Sequence, residues 1–324
     1  MIVHRLSHQG VFMPIQRDLS TLPASAQGSP PSRDNLRLVE LMKGWADNYT
    51  DAADMDLPHA VPEAGPYRAS FAGARCNRAL HYKMTKAPKS NEITEASLWN
   101  FFLGHVIGDS MHQAAERAWP GAVGELAVDL RPLGIPGSAS ADTAVPNADG
   151  TGYLFNIEYK STGGFSFKQK TTSTAPEGPD YGAVVQGAMT NRGIKADKMF
   201  VMYFAKENIS VNIATAKKLT EIDRFSAAWE FSAEECDQLV RAEAARIGRV
   251  LMFGELGQLP PRELDTPDLP SGAVVTDTDK GLWVLKDHNN NTVNTGGTWM
   301  CNYCDYQSLC KTDGPGGSET DVFI

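Results

Sequence analysis

Asp142, Glu158 and Lys160 fall within a short interval of the chain, with only Tyr159 between the last two. Two carboxylates supply the oxygen ligands that Mg2+ or Mn2+ prefers, and an ammonium beside them can orient a water or stabilise charge developing on a phosphate. One-metal or two-metal phosphodiester hydrolysis needs such a set. Read alone, a strand that alternates Ile157 and Tyr159 with Glu158 and Lys160 is also an apolar face backed by an ordinary solvated one. A second cluster closes the chain. In WMCNYCDYQSLC, Cys301, Cys304 and Cys310 account for three of the five cysteines. Their crowding and the odd total suit a metal site in a reducing compartment better than a disulfide framework. Cys236, in SAEECDQLV on a predicted helix, reads as a free, partly buried thiol.

The elements that must position these residues follow from periodicity and turn signals. The start, STLPASAQGSPPSRDN, has no period of 2 or 3.6, so residues 1–70 are expected to begin disordered and then turn helical. Leu38, Leu41, Met42 and Trp45 carry helical spacing between Leu36 and Tyr49. A further helix opens near Arg75 with Cys76 in its first turn, and Glu95 to Trp119 is the longest predicted helix. GELAVDLRPL, IPGSASADTAV and TGYLFNIEYKS then read as strands bounded by Gly, Pro or Asn. The turn PNADGTG makes the last two an antiparallel pair that brings Asp142 close to opposite Glu158. Helix, strands, helix and a further strand define an α/β core.

Composition sets limits on function. The chain has 324 residues, 42% of them hydrophobic, enough for one large domain or two. No apolar run reaches the ~20 residues of a membrane helix, and the N-terminus lacks a signal-peptide core, so the expectation is a cytoplasmic protein without a membrane partner. A net charge of −9 gives no global attraction to nucleic acid, so any DNA contact must come from a local basic patch.

Asp142 followed by Glu158-Tyr159-Lys160 resembles the motif of the PD-(D/E)XK nuclease superfamily, with Ala141 standing where the name-giving motif has Pro. Two flanking features look like its RecB-like branch. Gly108 and His112 form G-x-x-x-H in GDSMHQAAE, with His105 in GHVIG as the competing candidate. Downstream, Gln186 in DYGAVVQGAMTNRG matches the glutamine of Q-x-x-x-Y, although Thr190 replaces the tyrosine. Cys76, in GARCNRALHY, precedes these motifs and C-x2-C-x5-C follows them, a split spacing that resembles the iron-sulfur staple of AddB-type, CRISPR-associated and phage exonucleases. Four thiolates suit either a [4Fe-4S] cluster or zinc.

The resemblance implies a restriction-endonuclease-like core over residues 71–324, a mixed sheet flanked by helices, with a helical extension in which Cys76, Cys301, Cys304 and Cys310 hold the cluster. It implies Mg2+ or Mn2+ held by Asp142, Glu158, His112 and the Tyr159 carbonyl, and catalytic roles for Asp142, Glu158, Lys160, Gln186 and His112. The expected activity is a metal-dependent DNA exonuclease acting on single-stranded DNA or duplex ends in recombination, repair or DNA processing. A recombination or CRISPR-adaptation protein is the implied partner, and bacterial or phage-infected host cytoplasm the setting. The alternatives are a DNA-end-binding or adaptor protein with little hydrolysis, and a zinc-stapled interaction module. Between Lys160 and Gln186, Phe165 and Phe167 lie beside Lys168 and Lys170, a composition that suits either single-strand binding or a flexible surface loop.

Overall fold

Six strands form one mixed sheet: β1 (Tyr67–Arg68), β2 (Val123–Asp129), β3 (Gly137–Pro146), β4 (Tyr153–Thr162), β5 (Lys198–Ala205) and β6 (Ser226–Ser232). The structure is a computed structural model that describes residues 61–74, 76–90, 95–171, 176–207, 225–261, 274–277, 283–286, 292–293, 301 and 304–313. The helix expected from Leu36 to Tyr49 lies outside the described residues. β3 is the hub of the sheet. Because β2 and β4 both pair with it antiparallel at Thr143 and Ala144, they must lie on opposite edges, and β1 joins parallel at Gly137. β5 runs parallel to β4, and β6 ends the order antiparallel to β5. Three short strands, β7 (Val274–Asp277), β8 (Trp283–Lys286) and β9 (Thr292–Val293), form a separate antiparallel sheet.

The helices are α1 (Asn77–Met84), α2 (Glu95–Ala118), α3 (Gly164–Thr171), α4 (Tyr181–Ile194), α5 (Ala233–Glu255) and α6 (Gln307–Asp313). α2 matches the long helix expected from the sequence almost to the residue, and Cys76 is the N-cap of α1. α5 starts from a capping box in which Ser232 and Glu235 satisfy each other's backbone N–H groups. Side chains alternate across a strand, so each face of the sheet has its own cover. Thr143, Tyr159 and Ser161 share the face on which α2 lies, where His112 meets Thr143 and Gly104 adjoins Ser161. Asn156, Glu158 and Lys160 point to the other face, under α4.

That second face carries the main core. Met199, Val201 and Tyr203 of β5 pack with Val184, Val185 and Ala188 of α4, and α5 adds Val240, Ile247 and Val250 behind them. α4 can lie close because of its glycines: a Cβ at Gly182 would sit 2.5 Å from the Gly73 Cα, and one at Gly193 would run into Val128. A buried polar knot ties the outer layer down. Glu243 of α5, fully buried, accepts hydrogen bonds from Tyr67 Oη at 2.8 Å and from Arg246, whose guanidinium also donates to the Ala74 carbonyl at 2.9 Å. Among the described residues, no helix is long and apolar enough to cross a membrane.

Within the segment after Lys160, Gly164–Thr171 form a helix. Phe167 is fully buried in α3, and Lys170, 6% exposed, pairs with Asp180 at 2.5 Å, so these two of the four residues expected at a surface are part of the core. The α4 N-cap, Asp180, makes no side-chain cap, because its carboxylate serves Lys170 and Tyr203 instead.

Candidate active site

The site begins where two strands part. β3 and β4 pair through Thr143↔Ile157, and the same register carried one step further sets Asp142 opposite Glu158. The pairing ends there, and the Asp142 side chain enters the parting: its Oδ2 accepts the Tyr159 N–H at 2.7 Å. In an extended strand the carbonyl of a residue points to the same edge as its N–H, so the Tyr159 carbonyl also opens toward Asp142.

Glu158 is fully buried, and its Oε2 meets no hydrogen-bond donor among the described residues. Lys160 Nζ meets Oε1 at 2.6 Å in a charge-assisted ion pair and donates to Gln186 Oε1 at 3.1 Å. Gln186 reaches Lys160 because its neighbour is small: a Cβ at Gly187 would lie 2.6 Å from Met199 Sδ and 3.3 Å from Glu158 Cβ. The structure therefore brings Asp142, Glu158, Lys160 and Gln186 together, with Tyr159 between.

Their charges are coupled. Burial raises the Asp142 carboxyl well above the ordinary range and the charge of Glu158 raises it further, against the pull of Lys160 and the Tyr159 N–H. Burial likewise raises Glu158, opposed by Lys160. For Lys160, burial favours the neutral amine, but the charges of Glu158 and Asp142 outweigh it and keep the ammonium. A buried and a half-buried carboxylate against one ammonium leave a deficit of positive charge. An orphaned buried polar group costs ~1–3 kcal/mol, and more when charged, which a folded chain tolerates where a ligand offsets it. The donor set, two carboxylates and a backbone carbonyl facing one parting, fits a hard divalent cation that completes its sphere with water.

Sequence reasoning missed Glu125. It stands at the β2 position opposite Asp142, between the pairs Gly124↔Thr143 and Leu126↔Ala141, with φ +47°. Ser140 Oγ donates to its Oε2 at 2.7 Å, and its charge raises both Asp142 and Glu158. The left-handed backbone of a non-glycine residue in mid-strand could be found only with the β2 register known.

His112 lies on the α2 face, with Nδ1 3.1 Å from Thr143 Oγ1 and Nε2 3.2 Å from Glu116 Oε1. The glycine that seats its ring is Gly124, where any Cβ would clash with the imidazole, whereas Gly108 of G-x-x-x-H faces open space. His105 is exposed on the same helix. Thr190 is fully buried: its Oγ1 donates to the Gly187 carbonyl and accepts from Asn156 Nδ2 at 2.8 Å. It belongs to a network with Asn156 and Asn191 that fixes α4 on β4, out of reach of a ligand.

At the chain's other chemical cluster, Cys76, Cys304 and Cys310 pack around Ala79, Tyr82 and Tyr306, bringing the two motif ends together. Arg78, fully buried, points Nη1 at Cys310 Sγ from 3.8 Å, and burial raises the Cys304 thiol, with Cys76 adding to the effect. The Cys301 carbonyl accepts the Cys304 N–H at 3.2 Å. Among the described residues, no three of His, Cys, Asp and Glu are arranged to hold one metal ion, so neither the cysteines nor the carboxylates form a complete protein coordination sphere. Cys236 stands apart in the core, its thiol pushed up to about 12 by burial.

No protein-family model and no curated protein matches the sequence. Among solved structures, the fold is similar to that of SSO0001, with 13% identity over 75% of this chain and 85% of that one and a TM-score of 0.39. It is also similar to LHK-Exo in complex with dAMP, with 14% identity, 61% and 94% coverage and a TM-score of 0.40. A second structure of that alkaline exonuclease, from Laribacter hongkongensis, gives 13% identity, 62% and 97% coverage and a TM-score of 0.37. At TM-scores below 0.5 these likenesses fix neither the fold nor the chemistry of this chain.

The raised carboxyls make a stability prediction. Between the ordinary carboxylate range and their raised values, the folded state holds protons that the unfolded chain has released, so metal-free stability falls as pH rises through that window. Asp142→Asn and Glu158→Gln should each raise the melting temperature in chelator at neutral pH, with the gain vanishing as pH drops below about 4. Thermal melts across pH check this, and variants that melt below wild type at neutral pH would contradict it.

Proposed function

We propose that this protein is a Mg2+- or Mn2+-dependent deoxyribonuclease that acts as an exonuclease on single-stranded DNA or duplex ends. The observation that carries the reading is the Glu158 carboxylate, fully buried with Oε1 on Lys160 at 2.6 Å and Oε2 without a hydrogen-bond donor among the described residues, set opposite Asp142 across a parted strand pair. Asp142, Glu158 and the Tyr159 carbonyl would hold the cation, which when bound polarises the phosphate and lowers the pKa of a water nucleophile. Lys160 has three N–H donors. Glu158 and Gln186 engage two, and the third is free to meet a phosphate oxygen or the attacking water, stabilising negative charge as it develops. Gln186 keeps the amine aimed. His112 acts through Thr143, holding the strand next to Asp142 from the opposite face, and Glu125 adds negative charge at the mouth.

In this reading the protein serves recombination, repair or DNA processing, with a protein partner from such a system. The cysteines form a structural site that closes the ends of the nuclease core, with Cys76, Cys301, Cys304 and Cys310 as thiolate ligands of a [4Fe-4S] cluster. Support comes from Cys76, Cys304 and Cys310 all packing on the Ala79, Tyr82 and Tyr306 cluster, and from the buried Arg78, whose charge would offset thiolates.

End-labelled DNA incubated with Mg2+ or Mn2+ should be shortened by the wild type, and Lys160→Ala should lower the rate by at least about 100-fold, the scale of losing one group that stabilises transition-state charge. Equal rates would refute the assignment of Lys160. Protein purified anaerobically should show a broad absorption band near ~400 nm from an iron-sulfur cluster, which Cys304→Ala removes. A colourless protein with stoichiometric zinc would overturn the cluster assignment.

A further inference from the structure

Phe165 is 76% exposed, whereas Phe167, two residues on in the same helix, is fully buried. An exposed phenyl ring on a mobile segment would mean little, but α3 is pinned at both ends. The Gly164 N–H donates to Glu207 Oε1 at 2.8 Å, and Lys170 pairs with Asp180 while lying 5.6 Å above the Tyr203 ring. The ring of Phe165 is thus held toward solvent on a fixed support.

Its place in the fold gives that exposure a use. β4 and β5 run parallel and end together at Thr162 and Ala205, and α3 begins directly beyond, so Phe165 lies five residues after Lys160 and at most about 18 Å of chain away. The space beyond the carboxyl ends of parallel strands is where open α/β sheets receive ligands. Lys206 caps the same end, donating from Nζ to the Asn100 carbonyl at 2.9 Å, which brings that part of α2 and its exposed Trp99 to this side. Lys168 adds a surface amine on α3. Phe165, Trp99 and the amines of Lys168 and Lys206 are thus carried at one end of the sheet, together with the Glu207 carboxylate that anchors α3. Bases stack on such rings and phosphates meet such amines when a single strand is held without sequence readout.

We propose that Phe165 is a base-stacking platform that receives an unpaired nucleobase of single-stranded DNA beside the carboxylate site. This rests on the nuclease reading for its choice of ligand. A duplex end would then have to fray to engage it, so Phe165 favours single-stranded over blunt-ended substrate.

The test separates binding from cleavage. Binding of a labelled oligonucleotide is followed by anisotropy in chelator, where no hydrolysis occurs. Phe165→Ala should weaken binding roughly 5- to 150-fold, the span of ~1–3 kcal/mol per stacked base, Phe165→Leu should weaken it nearly as much, and Phe165→Trp should preserve it. In the cleavage assay, Phe165→Ala should raise KM for single strands and leave kcat within about twofold, since a uniform binding contact is lost. Binding by Phe165→Ala or Phe165→Leu equal to wild type would overturn the proposal. If DNA is cleaved but the ring at 165 is immaterial, this inference fails and the nuclease reading stands. If no DNA is cleaved yet single-strand binding depends on an aromatic ring at 165, the nuclease reading fails and this inference stands. A wild type that does not bind single strands overturns both.

Discussion

A carboxylate is buried in this protein with a single ammonium on one of its oxygens and no donor to the other among the described residues, and much of the surrounding architecture follows from that constraint. Glu158 lies under α4 on the face of the sheet that carries the main core, where a charge is costly to bury. Lys160 offsets part of the cost, but Asp142 beside it restores the deficit, and both carboxyls are pushed toward their neutral forms. A chain selected for stability alone would put amides or apolar groups there. Keeping two acids and one amine in the parting of β3 and β4 makes sense as a seat for a divalent cation, with stability given up for chemistry.

Positioning of that seat is distributed over both faces of the sheet. On one, the absence of a side chain at Gly187 lets α4 approach until Gln186 reaches Lys160, and the Asn156, Thr190 and Asn191 network locks the helix in place. On the other, His112 braces Thr143, with room for its ring secured at Gly124. The residue that accepts the Tyr159 N–H is therefore flanked by a strand fixed from both sides. Lys170, Asp180 and Tyr203 do the same for α3 and the start of α4, which sets the edge of the mouth.

What was legible in the sequence was what depends on local pattern. The hairpin around PNADGTG, the alternation that puts Glu158 and Lys160 on one face, and the long helix from Glu95 were readable because each is a period or a turn signal. Glu125 was not, because its place beside Asp142 depends on the β2 register and a left-handed backbone, neither of which spacing reveals. Thr190 was read as a missing tyrosine, when its hydroxyl belongs to a core network visible only with α4 on β4. Phe165 and Phe167 looked alike in sequence. Two residues apart on a helix they point about 200° apart, and one faces the core while the other faces solvent. Gly108 of the G-x-x-x-H spacing faces open space, and the glycine that adjoins His112 is Gly124, on a strand.

The account stands or falls on the cation seat, and Mn2+ binding measured by calorimetry in the absence of DNA tests it most directly. It predicts that wild type binds Mn2+ more tightly as pH rises, because protons held by the raised carboxyls compete with the metal, and that Glu158→Gln loses this binding. Equal, pH-independent binding by wild type and Glu158→Gln would contradict it.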